Sequence, residues 1–132
     1  MRDNPAGTIG GPVMKKKILI CDDEIGVRES LKLILSDKYD ILFAEDGKKA
    51  IDEIKRNPDL KGILLDIKMP ALNGFELLKY LKRHNENMPV VVVTGYQSVE
   101  TAAESLKIGA ANYITKPFRS ETVIETLEQA IS

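Results

Sequence analysis

Ile18-Leu19-Ile20-Cys21-Asp22-Asp23 runs four apolar residues straight into two carboxylates. An unbroken apolar run is the pattern of a strand buried on both faces, as in parallel sheets, whose ligands lie beyond the carboxyl ends of the strands. The same arrangement returns three times: Ile63-Leu64-Leu65 runs into Asp66, Val90-Val91-Val92-Val93 into Thr94, and Tyr113-Ile114-Thr115 into Lys116-Pro117. Laid side by side, these runs bring three carboxylates, a hydroxyl and an ammonium to one edge of one sheet.

Between the runs the periodicity changes to that of helices. Helices are predicted over 24–36, 48–57, 74–85, 99–108 and 121–131, and a further strand over 39–44. Val27, Leu31, Ile34 and Leu35 share a face of the first helix. Val99, Ala102, Ala103 and Leu106 do so in the fourth, and Val123, Ile124, Leu127 and Ala130 in the fifth; each face is expected to cover the sheet. Asn73 with Glu76 reads as a capping box, Asp46-Gly47 as the turn into the second helix, Asn57-Pro58 and Gly109 as stops, and Ser120 as a cap. Repeated βα units with right-handed crossovers give a doubly wound five-stranded parallel α/β sheet with helices on both faces.

The chain has 132 residues, room for one domain. The balance of 19 basic against 20 acidic residues leaves a formal charge of -1, which favours neither nucleic acid nor a membrane surface. Cys21, the single cysteine, excludes an internal disulfide and fits a reducing cytosol, and no apolar stretch nears the ~20 residues of a membrane span. The reading is a cytoplasmic protein. Residues 1–15, with Gly and Pro concentrated in the first thirteen, are expected to be a disordered leader or cloning remnant, with the domain over 16–132. Gly7-Thr8-Ile9-Gly10-Gly11 follows no strand, so it is not read as a phosphate loop. His84, the only histidine, sits among polar residues and is read as a solvated surface side chain, not a phosphodonor.

Bringing Asp22, Asp23 and Asp66 together is costly: a like-charged pair about 4 Å apart repels by ~4 kcal/mol at an effective dielectric near 20. A hard divalent cation that takes oxygen ligands and shares itself with a phosphate answers that charge, and Mg²⁺ describes it best. Lys116 adds a fixed positive charge able to hold a carboxylate and then a phosphoryl oxygen. Taken singly, Asp22 and Asp23 could as well cap the first helix.

Together, Asp22-Asp23, Asp66 followed by Met69-Pro70, Thr94-Gly95 and Tyr113-Ile114-Thr115-Lys116-Pro117-Phe118 resemble the receiver domain of bacterial two-component response regulators. The resemblance runs from about Lys16 to Ile131. It implies a flavodoxin-like fold of strand order 2-1-3-4-5, an aspartate that takes phosphate from a sensor histidine kinase or histidine phosphotransfer protein, and bound Mg²⁺. Carried over by position, Asp66 is the phosphoacceptor. Asp23, Asp66 and the Lys68 carbonyl are direct metal ligands, and Asp22 holds the metal through water. Thr94 and Lys116 contact the phosphoryl oxygens, Tyr113 is the switch aromatic, and Lys116-Pro117 is a cis peptide. Lys68 and Tyr96 stand over the phosphoryl group and tune its hydrolysis. The output surface is the fourth helix, fifth strand and fifth helix, facing an output domain, a downstream partner or a second copy in a phosphorylation-dependent homodimer. Thr94-Gly95-Tyr96 and the residues after it look like receivers attached to sigma-54-dependent activators.

Other classes fit less well. A flavin carrier would offer hydroxyls and N–H groups after the first strand, where Asp22-Asp23-Glu24 would repel a phosphate. An aspartyl phosphohydrolase would place Asp-x-Asp there. A phosphorylation-independent interaction module, the second choice, would have lost some of Asp23, Asp66, Thr94 or Lys116, and all four are present.

Overall fold

A computed structural model describes residues 15–69, 74–95 and 99–132. Five strands and five helices alternate along the chain: β1 (Lys16–Cys21), α1 (Ile25–Leu35), β2 (Tyr39–Ala44), α2 (Gly47–Arg56), β3 (Leu60–Leu65), α3 (Gly74–His84), β4 (Val90–Thr94), α4 (Val99–Ile108), β5 (Asn112–Thr115) and α5 (Ser120–Ile131). The strands form one parallel sheet in the order β2-β1-β3-β4-β5. After β2 the chain returns across β1 and continues on its other side, so the order reverses at the β1/β3 boundary. A crevice opens at such a reversal, beyond the strand carboxyl ends.

Alternate residues of each apolar run feed two cores. Ile18 and Ile20 of β1 point with Leu64, Val91 and Val93 toward Leu31 and Leu35 of α1 and Val123 and Leu127 of α5. Leu19 and Cys21 point the other way, with Ile63, Leu65, Val90 and Val92, toward Ala50 of α2 and Leu77, Leu78 and Leu81 of α3. An unbroken apolar strand is thus a two-sided one. Asp46 caps α2, its side chain accepting from the Lys49 N–H at 2.9 Å. Gly109 ends α4 with φ of 130°, a conformation glycine adopts without strain.

The structure corrects three expectations. The first helix begins at Ile25, not Glu24, because the Glu24 N–H is drawn to Asp22 Oδ1 at 2.9 Å and the residue stays extended. Ser120 is the first residue of α5, with Arg119 at the cap position. The third correction is larger. In α4 the side facing the protein carries Thr101 and Ser105, while Val99 is 83% exposed, Leu106 49% exposed and Ala103 also exposed. The Ser105 hydroxyl donates to the Thr101 carbonyl at 2.9 Å, so burying it leaves no unpaired polar group. The expected capping residue Asn73 and residues 1–14 lie outside the described residues. Among the described residues no helix is long and apolar enough to cross a membrane.

Candidate functional site

The sheet itself positions the site. One backbone bond continues each ladder past the strand end: Asp22 N–H donates to the Ala44 carbonyl at 3.0 Å, Asp66 N–H to Cys21 at 2.9 Å, and Lys116 N–H to Thr94 at 3.0 Å. Asp22, Asp66, Thr94 and Lys116 are therefore held by ladder register rather than by loose loops. The Lys116-Pro117 peptide is cis, as expected.

Lys116 is the centre of the arrangement. Its ammonium donates to Asp22 Oδ2 at 2.7 Å, Asp66 Oδ2 at 2.9 Å and Glu24 Oε1 at 3.1 Å. The two buried aspartates are held alike. Each takes Lys116 on one oxygen and, on the other, the N–H two residues on: Glu24 N–H to Asp22 Oδ1 and Lys68 N–H to Asp66 Oδ1, both 2.9 Å. The Arg28 guanidinium donates to the Asp22 carbonyl at 2.8 Å, tying α1 to the same loop.

Asp23 is exposed beside them, and one carboxylate oxygen from each of Asp22, Asp23 and Asp66 lies within 4.8 Å of the others. Three carboxylates, those of Asp22, Glu24 and Asp66, thus share the Lys116 ammonium, with Asp23 beside them and Lys68 also lining the cleft. Burial pushes the Asp22 carboxyl above its ordinary range, against the opposing pull of the bonds from Lys116 and the Glu24 N–H. Lys116 is also pushed up: burial acts to lower it, but its bonds to Asp22 and Asp66 together prevail. The pair is thus pushed in opposite senses of charge. Asp22 is 2% exposed and Lys116 15%, so desolvation bears harder on the acid, and we read the ammonium as the firmly charged member.

Thr94 is fully buried at the end of β4. Tyr113 is half-buried against the α3 side of the sheet, its phenol pushed up by burial and then by the Asp66 charge. An open cleft of about 340 Å³ is lined by Asp23, Glu24, Asp66, Lys68, Thr94, Gly95 and Lys116. Of the described residues predicted for the site, Asp23, Asp66, Lys68, Thr94 and Lys116 line the cleft, Asp22 lies beneath it on the Lys116 ammonium, and Tyr113 lies outside the lining but within reach of the Asp66 charge. Tyr96 lies outside the described residues. Glu24 was missed; the signal was a third acidic residue at a cap position that glutamate fills poorly. His84 is exposed, stacked on Tyr80 with centroids 4.2 Å apart and its Nδ1 2.9 Å from the Tyr80 carbonyl oxygen, away from the site.

These features define a class: α/β proteins of order 2-1-3-4-5 with an acidic trio and a lysine at the switch point of the sheet. The family model of the response regulator receiver domain matches residues 18–128, and the chain belongs to that family. It is 34% identical over 119 residues to sporulation initiation phosphotransferase F of Bacillus subtilis (strain 168), covering 89% of this chain and 94% of that protein. Over 117 residues it is 36% identical to the transcriptional regulatory protein ZraR of Escherichia coli (strain K12), covering 87% of this chain but 26% of that one. The crystal structure of NtrX from Brucella abortus superposes with a TM-score of 0.83 at 32% identity, over 89% of this chain and 28% of that one. The chain thus spans nearly all of the first protein and about a quarter of the other two. It is a receiver domain of the two-component response regulator type, and the interaction-module reading is not favoured.

Proposed function

We propose that Asp66 accepts a phosphoryl group, in a Mg²⁺-dependent transfer from a phosphohistidine on a sensor histidine kinase or histidine phosphotransfer protein. The observation that supports this best is the Lys116 ammonium held between buried Asp22 and Asp66 with Asp23 alongside. The donor set is all oxygen, as Mg²⁺ prefers. Asp22, Asp23, Asp66 and the Lys68 carbonyl would hold the ion, which when bound balances charge on the equatorial phosphoryl oxygens.

The chain's own residues do the rest. An Asp66 oxygen attacks phosphorus in line, forming the P–O bond as the P–N bond to the histidine breaks, and the imidazole leaves with the electron pair. Lys116, already 2.9 Å from Asp66, meets a phosphoryl oxygen without large rearrangement. Thr94 offers its hydroxyl to another and draws its loop inward, and Tyr113 moves into the space so freed. This is a local charge event biasing a two-state element. Lys68, exposed at the cleft rim, and Tyr96 would slow self-dephosphorylation by crowding the in-line approach of water.

The readout is the α4-β5-α5 surface, toward an output domain, a downstream partner or a second copy. The outward apolar face of α4, with Val99 and Leu106, supports this assignment, since an apolar side chain kept in water suits a face meant to be covered. The setting is the cytoplasm, and the functional unit is residues 16–132. Nuclear magnetic resonance of the chain with beryllofluoride and Mg²⁺ tests the reading. Resonances around Asp66, Thr94, Tyr113 and α4 should shift in the wild type and stay in place in Asp66→Asn. Equal shifts in both would overturn it.

A further inference from the structure

We infer that Glu24 is a positioning residue that holds Lys116 at rest and sets the chain's preference among phosphodonors by their charge; the inference rests on Asp66 as phosphoacceptor. Glu24 occupies the N-cap of α1 but its side chain makes no capping bond. Asp, Asn, Ser or Thr would cap better, so the residue is poorly chosen for the helix. A local choice that conflicts with the structure it sits in points to function. The backbone is pinned at both ends, the N–H to Asp22 Oδ1 at 2.9 Å and the carbonyl accepting from the Arg28 N–H at 3.1 Å. The side chain is thereby directed at Lys116, with Oε1 3.1 Å from the ammonium.

This is the longest of the three carboxylate contacts, and Glu24 is 64% exposed while Asp22 and Asp66 are buried. When Asp66 gains a phosphoryl group, Lys116 must turn toward the new oxygens, and the exposed contact yields at least cost. Until then Glu24 places a negative charge at the cleft mouth, which it lines with Asp23 and Lys68. That charge opposes small donors according to their own. Acetyl phosphate, a dianion at neutral pH, transfers its phosphoryl group to an Asp66 oxygen as the P–O bond to the acetyl group breaks and acetate leaves with the electron pair. In phosphoramidate the protonated nitrogen offsets part of the charge; its P–N bond breaks and ammonia leaves. Glu24 should therefore disfavour the first donor more than the second.

The test measures Asp66 phosphorylation rates from both donors at saturating Mg²⁺ on the full chain. Glu24→Gln keeps an acceptor for Lys116 and removes only the charge. It should raise the acetyl phosphate rate about threefold to tenfold more than the phosphoramidate rate, and the difference should shrink with added salt. Glu24→Ser should change the ratio likewise while raising the melting temperature, because serine caps α1, an outcome that a merely structural glutamate would not give. An unchanged donor ratio in both variants, with the wild type labelled normally, overturns the inference. Failure of both donors to label the wild type removes the phosphoacceptor reading itself and this inference with it.

Discussion

Replacing Gly74 with alanine should damage the domain through a contact only glycine tolerates. Gly74 opens α3, and its N–H donates to the Ile67 carbonyl at 3.2 Å. A Cβ there would lie 2.2 Å from Ile67 Cα and 2.8 Å from its carbonyl carbon. Non-bonded carbons settle at about 3.5–4.0 Å, so backbone must move by more than ~1 Å. Ile67 stands between Asp66 and Lys68, so the movement falls on the site. Alanine in a helix gains up to ~1 kcal/mol over glycine, whereas overpacking costs about 1–3 kcal/mol, with the upper end apt because backbone is the obstacle. A net loss of about 2 kcal/mol remains. At ~2.1 cal/mol/K of unfolding entropy per residue, that lowers the melting temperature by about 7 °C. Gly26→Ala is the control, since nothing lies within 4 Å of a Cβ there; it should be neutral or stabilising by up to ~1 kcal/mol. Thermal melts and urea titrations followed by circular dichroism decide the matter. A Gly74→Ala protein as stable as the wild type would mean that Ile67 gives way without cost.

Mg²⁺ at a hundred times its dissociation constant should stabilise the fold by ~2.7 kcal/mol, about 10 °C by calorimetry, and Asp23→Asn should remove most of that shift. Burial holds the Asp22 carboxyl high in the folded state, so the folded chain keeps that proton more tightly than the unfolded one. This contribution is complete below the unfolded carboxylate range and is lost as pH rises through the folded value. With metal chelated, Asp22→Asn should therefore compare more favourably with the wild type at neutral pH than below roughly pH 4, and melts across that range show the sign. Val99→Ala and Leu106→Ala should each cost under ~0.5 kcal/mol by urea titration, whereas a helix seated on its apolar face would lose ~2 kcal/mol or more at the leucine.

The strand ends were legible because each apolar run stops on a polar residue, and the sheet carries its register one residue further. Asp22, Asp66, Thr94 and Lys116 therefore met where the order of runs said they would. The seating of α4 was not legible. Its apolar periodicity through Val99, Ala102, Ala103 and Leu106 is genuine, but Thr101 and Ser105 are small, and the Ser105 hydroxyl is satisfied within the helix, so that side is buried instead. Periodicity marks an apolar face, and does not say whether that face is seated on the sheet. Glu24 escaped for a related reason: its role depends on where Lys116, 92 residues away, delivers its ammonium. The constraint on Gly74 likewise arises from a backbone approach that no local pattern encodes.

Formation of an acyl phosphate on Asp66 can be read by chemical mapping. The chain is incubated with acetyl phosphate and Mg²⁺, reduced with borohydride, digested and sequenced by mass spectrometry. Reduction of an aspartyl phosphate leaves homoserine, which is expected at position 66 and only when Mg²⁺ is present. Modification mapped to another residue, or equal yield with the metal chelated, would contradict it.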